Sequence, residues 1–284
     1  MERLVIQAPD VATQNLKRLA HLVGASQIIA AHPGQLGHQA FHLSPADRGA
    51  QAAVAAFCAE AGYDYAYVDA TATWDDIGLI VMDMDSTLIT IECIDEIADM
   101  CGIKPQVAAI TERSMRGEID FRASLTERVA LLAGLDEHAL DVVYESRLRL
   151  MPGAETLLRH AHANGVRTLL ISGGFTFFTE RLKARLGLTR AIANELEVVE
   201  GKLTGRIVGE IVDAQTKADE LNRMREELGL TPKQVIALGD GANDLKMLAA
   251  AGFGVACHAK PAVKAQAAYT IDHVGLDGVL GYFA

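Results

Sequence analysis

Ile77-Gly78-Leu79-Ile80-Val81-Met82-Asp83-Met84-Asp85-Ser86-Thr87-Leu88 is the stretch on which the fold turns. Ile77–Met82 is a continuous apolar run, the pattern of a parallel strand buried on both faces. Such a strand delivers Asp83 at its carboxyl end. Asp85 follows two residues later, so two carboxylates can face one small volume. That pair suits either a hard divalent cation or a nucleophile with an acid/base partner. A lone Asp-x-Asp also occurs in solvated loops, so its surroundings have to decide.

Downstream, three further apolar runs end at Ser172 (TLLIS), at Asp240 (VIALGD) and near Cys257 (FGVAC). Helical spacing fills the gaps at 154–163, 176–186, 217–228 and 244–250. Alternation of this kind predicts an α/β fold with a doubly wound parallel sheet and a ligand site at the strand carboxyl ends. Residues 104–149 interrupt the alternation with almost unbroken helical pattern (VAAITERSMRG, FRASLTERVALLAG, EHALDVVYESRLRL), which predicts a helical cap inserted after the first strand. The span Glu195–Val212 alternates around Gly201-Lys202 and reads as a hairpin.

Upstream, about 75 residues read as a small N-terminal α/β domain. Strands are expected at 4–8, 27–31, 39–43 and 63–68. A helix is expected at 10–22, and a second is opened by Ser44 as cap and Pro45 as first residue and ended by Gly62. The polar stretch 69–76 reads as a linker. At ~150 residues per domain, 284 residues accommodate this division into 1–75 and 76–284.

Charge narrows the partners. Lys and Arg number 26 against 37 Asp and Glu, a net charge of −11, which disfavours a polyphosphate backbone as ligand. A small anionic substrate stays open, because a metal or a local cation cluster can reverse the field inside one pocket. The longest stretch free of Asp, Glu, Lys and Arg, 19–46, contains four His, three Gln and Pro33. It is too polar for a spanning helix. The N-terminus has no secretory pattern, and the expectation is a cytoplasmic protein. Cys58, Cys93, Cys101 and Cys257 form no CxxC and are expected to be reduced thiols. His38 and His42 have zincin-like spacing but lack the Glu base and fall in a strand pattern. No GxGxxG, Walker loop or Gly-x-Ser-x-Gly elbow occurs.

Four pieces follow one another in the chain: Asp83–Leu88, Ser172-Gly173-Gly174, Lys217 and Gly239–Asp244. In this order they resemble the haloacid dehalogenase superfamily of phosphatases, from Ile77 to the C-terminus. The segments 83–98, 114–121, 124–129, 172–178, 193–198, 201–205 and 239–248 look like the branch acting on O-phospho-L-serine. The resemblance implies hydrolysis of that ester through an aspartyl-phosphate at Asp83. Asp85 would protonate the leaving group and then deprotonate water. Mg2+ would be held by Asp83, the Asp85 carbonyl and Asp240. Ser172, Gly173 and Lys217 would bind phosphate, and Asn243 would position the ligand. Asp244 would fix Lys217 or a metal-bound water. Glu92 would pair with the substrate ammonium and Arg128 with its carboxylate, while Met115 and Phe121 would line an apolar wall.

A signalling receiver also phosphorylates an Asp on a parallel sheet, but it has no helical insertion after that strand. A phosphotransferase using the same intermediate stays open as an alternative, as does action on another small phosphomonoester. A regulator that has lost activity is at odds with the joint presence of Asp83, Asp85, Lys217 and Asp240. The N-terminal domain looks loosely like small ligand-binding modules. Binding serine, forming a homodimer and packing on the catalytic domain are its open roles.

Overall fold

The computed structural model describes residues 1–32 and 34–283. Two sheets carry the fold. The smaller contains β1 (Glu2–Ala8), β2 (Gln27–Ala31), β3 (Gln39–Ser44) and β4 (Asp64–Asp69), antiparallel in the order β2-β3-β1-β4. α1 (Thr13–Val23) and α2 (Gln51–Ala61) cover one face, where Leu4, Ile6 and Leu43 meet Leu16, Leu19 and Val54.

The second sheet is built from β5 (Leu79–Met82), β6 (Arg167–Phe175), β7 (Arg190–Val199), β8 (Lys202–Val208), β9 (Val235–Gly239), β10 (Phe253–Cys257) and β11 (Tyr269–Ile271). Its order is β11-β10-β9-β5-β6-β7-β8, and every neighbouring pair is parallel except β7 with β8. Between β5 and β6 lie α3 (Cys93–Met100), α4 (Lys104–Met115), α5 (Phe121–Ala130), α6 (His138–Ser146) and α7 (Ala154–Ala163). α8 (Thr176–Leu186) follows β6, α9 (Ala214–Glu227) precedes β9, and α10 (Leu245–Ala250) and α11 (Pro261–Lys264) flank β10. The α/β class and the largely parallel sheet agree with the sequence pattern.

The buried run explains the centre of the sheet. Ile80 and Met82 join one hydrophobic cluster, Leu79 and Val81 another on the opposite face, and all four are fully buried. Each such side chain contributes ~1.5–3 kcal/mol by leaving water. Because β5 stands between β6 and β9, the chain crosses over in opposite directions from it. Crevices form at the carboxyl end of such a switch point.

Several local expectations shift. Ser44 does not cap the second helix: it is the last residue of β3 and pairs with Gln27. Asp47 takes the capping role, its carboxylate accepting from Gly49 N at 2.8 Å. The first helix begins at Thr13 rather than Asp10, and the helix bearing Lys217 begins earlier, at Ala214. The 69–76 stretch, read as a linker, contains a 3-10 turn with Trp74 only 5% exposed.

The C-terminal segment, whose packing no local pattern announced, is buried from Leu276 to Phe283. It lies under the second face of the small sheet, where Val5, Ala66 and Val68 share a cluster with Leu280, Tyr282 and Phe283. Arg3 Nη2 donates to the carbonyls of Ala72 and Tyr282, both at 2.7 Å. Asp64 accepts from the backbone N–H groups of Asp272, His273 and Val274. His42 donates through Nε2 to Gly281 O at 2.8 Å, and His38 Nε2 meets Gln7 Oε1 at 3.0 Å. His38 Nδ1 also lies 3.7 Å from Asp277 Oδ1, so both histidines face the C-terminal segment. Cys58, Cys93 and Cys257 are buried, and all four cysteines are free. No helix among the described residues is long and apolar enough to cross a membrane.

Candidate active site

Asp83 leaves the end of β5 with its own N–H bonded to Leu238 O of β9 at 3.0 Å. The chain then turns tightly through Met84–Leu88, with Ser86 in the left-handed region at φ 53°. This turn folds Asp85 back over the strand end. Asp83 Oδ1 accepts from Met84 N at 2.7 Å and from Lys217 Nζ at 2.8 Å. Both of these contacts fall on Oδ1.

Asp85 is held by two neighbours. Its Oδ1 accepts from Cys93 N at the first turn of α3, at 2.8 Å. Its Oδ2 accepts from Ser172 Oγ at 3.3 Å. Ser172 Oγ in turn accepts from Gly174 N at 2.8 Å. A side chain at either glycine after Ser172 would crowd its neighbours. A Cβ at Gly173 would fall 2.9 Å from Phe121 Cζ, and one at Gly174 would fall 2.6 Å from Asp85 Oδ2. Phe121, half-buried at the start of α5, thus covers the turn after Ser172.

The third strand end supplies Asp240, whose Oδ1 accepts from Thr87 Oγ1 at 3.0 Å. Asp244 sits one turn further on and is fully buried. Its Oδ2 accepts from the N–H groups of Asp240 and Gly241, and its Oδ1 takes Lys217 Nζ at 2.7 Å. Asp83, Asp240 and Asp244 each offer one oxygen within 4.8 Å of the others. Sequence reading named Asp83, the Asp85 carbonyl and Asp240 as ligands. Asp83 and Asp240 stand in this cluster with Asp244 beside them, while the Asp85 carboxylate is turned to Cys93 N and Ser172 Oγ. Asn243 lies half-buried in the same turn.

The electrostatics follow from crowding acids in a dry place. Burial pushes Asp83 well above the usual carboxylate range, and the charge of Asp244 adds to it. Asp85 is raised by burial as well, and Asp240 is pushed up to about 6 by burial and by Asp244. Burial disfavours the Lys217 ammonium, but the Asp244 and Asp83 carboxylates outweigh that and raise its pKa. One ammonium faces three carboxylates. At an effective dielectric near 20, each unit-charge pair ~4 Å apart is worth about 4 kcal/mol, so a hard cation among these oxygens would relieve a large repulsion. The residues fit a divalent metal ion.

At the mouth, Ser86 Oγ donates to Glu92 Oε1 at 2.7 Å. Glu92 stays open to solvent, yet the protein packed around it and the Asp85 charge push its pKa up to about 7. Arg128, half-buried on α5, donates through Nε to Ser124 O at 3.3 Å. Burial lowers its pKa while the charges of Asp95, Glu92 and Asp85 oppose that fall, so Glu92 and Arg128 belong to one field. Met115 ends α4, which buries only Val107, and it is 67% exposed. Sequence reading also gave no role to Thr87 or to the Cys93 N–H, since neither contact has a local signature.

Comparison with known proteins agrees with this geometry. The family profile described as haloacid dehalogenase-like hydrolase matches residues 80–249. A phosphoserine phosphatase of Polaromonas sp. is 52% identical over 210 residues, 72% of this chain and 89% of the relative. The crystal structure of a HAD family hydrolase from Salmonella enterica serovar Typhi superposes with a TM-score of 0.91 at 32% identity, covering 100% of this chain and 99% of that one. A probable phosphoserine phosphatase from Vibrio cholerae, unliganded, superposes at 0.83 with 36% identity over 99% of this chain and 85% of that one.

Proposed function

The chain belongs to the haloacid dehalogenase-like hydrolases, and from that premise we propose that it hydrolyses O-phospho-L-serine to L-serine and phosphate, the last step of L-serine biosynthesis. The observation that carries this reading is the placing of Asp83, Asp85, Ser172 and Lys217 around one strand-end crevice. Phosphate monoesters hydrolyse extremely slowly without help, so the site must supply charge stabilisation and positioning.

Asp83 Oδ2 attacks phosphorus in line with the ester oxygen. The new Asp83–phosphorus bond forms as the bond from phosphorus to the serine oxygen breaks. Asp85 donates a proton to that departing oxygen. The resulting carboxylate then takes a proton from water as the water oxygen attacks phosphorus and releases Asp83. Lys217 fixes Asp83 Oδ1 and opposes the phosphate charge, while Ser172 Oγ and the Gly173 N–H bind its oxygens. Asn243 orients the same group.

The divalent ion that we assign is Mg2+, which Asp83, the Asp85 carbonyl and Asp240 would hold, with Asp244 close by. When bound it neutralises the negative charge that gathers on the phosphate. Selectivity comes from the mouth: Glu92 pairs with the substrate ammonium and Arg128 with its carboxylate, a planar acceptor suited to a guanidinium fork. Phe121 closes the apolar side.

In this reading residues 1–75 form a separate small domain, residues 76–284 the phosphatase domain, and 104–149 its cap. The protein works in the cytoplasm, and a homodimer is the assembly to be tested by sedimentation. The decisive experiment measures phosphate release from O-phospho-L-serine with Mg2+, with EDTA, and with Asp83→Asn. Release that needs the metal and is lost in the variant, with an intact thermal transition, is expected. Release only from other phosphomonoesters would overturn the roles of Glu92 and Arg128.

A further inference from the structure

Asn194 lies in β7 beside Phe175, just past the irregularity that ends regular pairing between β6 and β7. It is a polar side chain 1% exposed, with both ends of its amide used. Nδ2 donates to the carbonyl of Gly173 at 2.8 Å, and Oδ1 accepts from Val212 N at 2.8 Å. A buried amide left unpaired costs about 1–3 kcal/mol, so its two partners hold it firmly in place.

These partners stand on opposite sides of the reaction. Gly173 follows Ser172, the hydroxyl that contacts Asp85. Val212 precedes Asp213, which caps α9 by accepting from Gln215 N and Thr216 N, each at 3.0 Å. Lys217 lies in the first turns of that helix, with its N–H on Asp213 O and its ammonium on Asp83 and Asp244. One side chain therefore joins the turn that binds phosphate oxygens to the chain entering the helix of the phosphate-facing lysine.

We propose that Asn194 is a positioning residue that sets the spacing between the Ser172–Gly173 turn and Lys217 for the phosphoryl group. The inference rests on the phosphatase reading above. Only an amide meets the demand: a carboxylate offers Gly173 O no donor, and an aliphatic chain serves neither partner. A misplacement of about 1 Å in such a constellation can cost ~100-fold in rate.

The test compares Asn194→Asp and Asn194→Ala with the unaltered enzyme on O-phospho-L-serine and on p-nitrophenyl phosphate. Inhibition by inorganic phosphate and thermal unfolding are measured in parallel. Because Asn194 acts on the phosphate end, kcat/KM should fall at least tenfold on both esters, and inhibition by phosphate should weaken, at temperatures where the variants are folded. Values within twofold of the unaltered enzyme, with only the melting temperature lowered, would make Asn194 a packing residue. A loss confined to phosphoserine would also overturn the assignment. The unaltered enzyme gives an independent readout if the variants do not fold: the Asn194 side-chain amide resonance should shift on saturation with inorganic phosphate, and an unmoved signal refutes the proposal. Activity of the unaltered enzyme on phosphoserine separates failure of this inference from failure of the phosphatase reading.

Discussion

Lys217 donates to Asp244 at 2.7 Å in a place where neither side chain is more than 1% exposed. The same ammonium reaches Asp83 at 2.8 Å, so one cation links the strand end of β5 to the turn after β9. Removing one partner from a buried pair leaves an uncompensated charge, which typically costs about 3–5 kcal/mol. Lys217→Met should therefore lower stability by about that amount and abolish turnover. In Lys217→Met/Asp244→Asn the loss should be smaller than the sum of the single losses by at least ~1 kcal/mol. Urea denaturation of the three variants measures this, and additive losses would mean that the two groups do not act as a pair.

Arg128 is tested by substrate choice. Arg128→Ala should lower kcat/KM for phosphoserine by about 100- to 1,000-fold, the scale of losing a partly desolvated charge pair. For p-nitrophenyl phosphate, which lacks the carboxylate, the change should stay within about threefold. Equal losses on both esters would give Arg128 a structural role instead.

Gly174 has no room for a side chain. In Gly174→Ala the new methyl would lie 2.6 Å from Asp85 Oδ2 and 2.9 Å from Met84 Cε. With Asp85 in its proposed role as proton donor, displacing it should lower kcat by ~100-fold or more, the upper part of the range for general acid–base catalysis. Steady-state kinetics at fixed metal concentration reads the effect, and an unchanged kcat would show that Asp85 tolerates the shift.

Asp213 carries a pH signature. The Thr216 N–H, together with the Arg122 guanidinium 2.6 Å away, holds its pKa down to about 2. With a folded pKa below the unfolded value of ~3.9, its contribution is complete above pH ~4 and disappears as pH falls toward 2. Asp213→Ala should cost about 1–2 kcal/mol at pH 7, as loss of an N-cap does, and the gap to the unaltered protein should close in acid. Denaturation at pH 7 and near pH 2.5 checks the sign.

Patterns that the backbone reads locally are legible in the amino-acid sequence. The apolar run at 79–82 specifies a strand buried on both faces, and it places Asp83 and Asp85 at a strand end without reference to the rest of the chain. The acidic turn at 239–244 and the Ser172-Gly173-Gly174 turn carry the same kind of signal. The first turn of the second helix is misleading, because Ser44-Pro45 is a sound local start signal that strand pairing with Gln27 overrides.

Contacts between distant segments are decided only by the tertiary structure. Nothing near Lys217 in the chain says that it will be sealed between Asp83 and Asp244. Nothing near Asn194 says that its amide will join Gly173 to Val212. The exposure of Met115 and the burial of Leu276–Phe283 under the small sheet are decided in the same way. The reason is physical: apolar periodicity and turn chemistry act over a few residues, whereas the pairing of a buried charge or amide depends on which crossovers bring its partner to the same strand end.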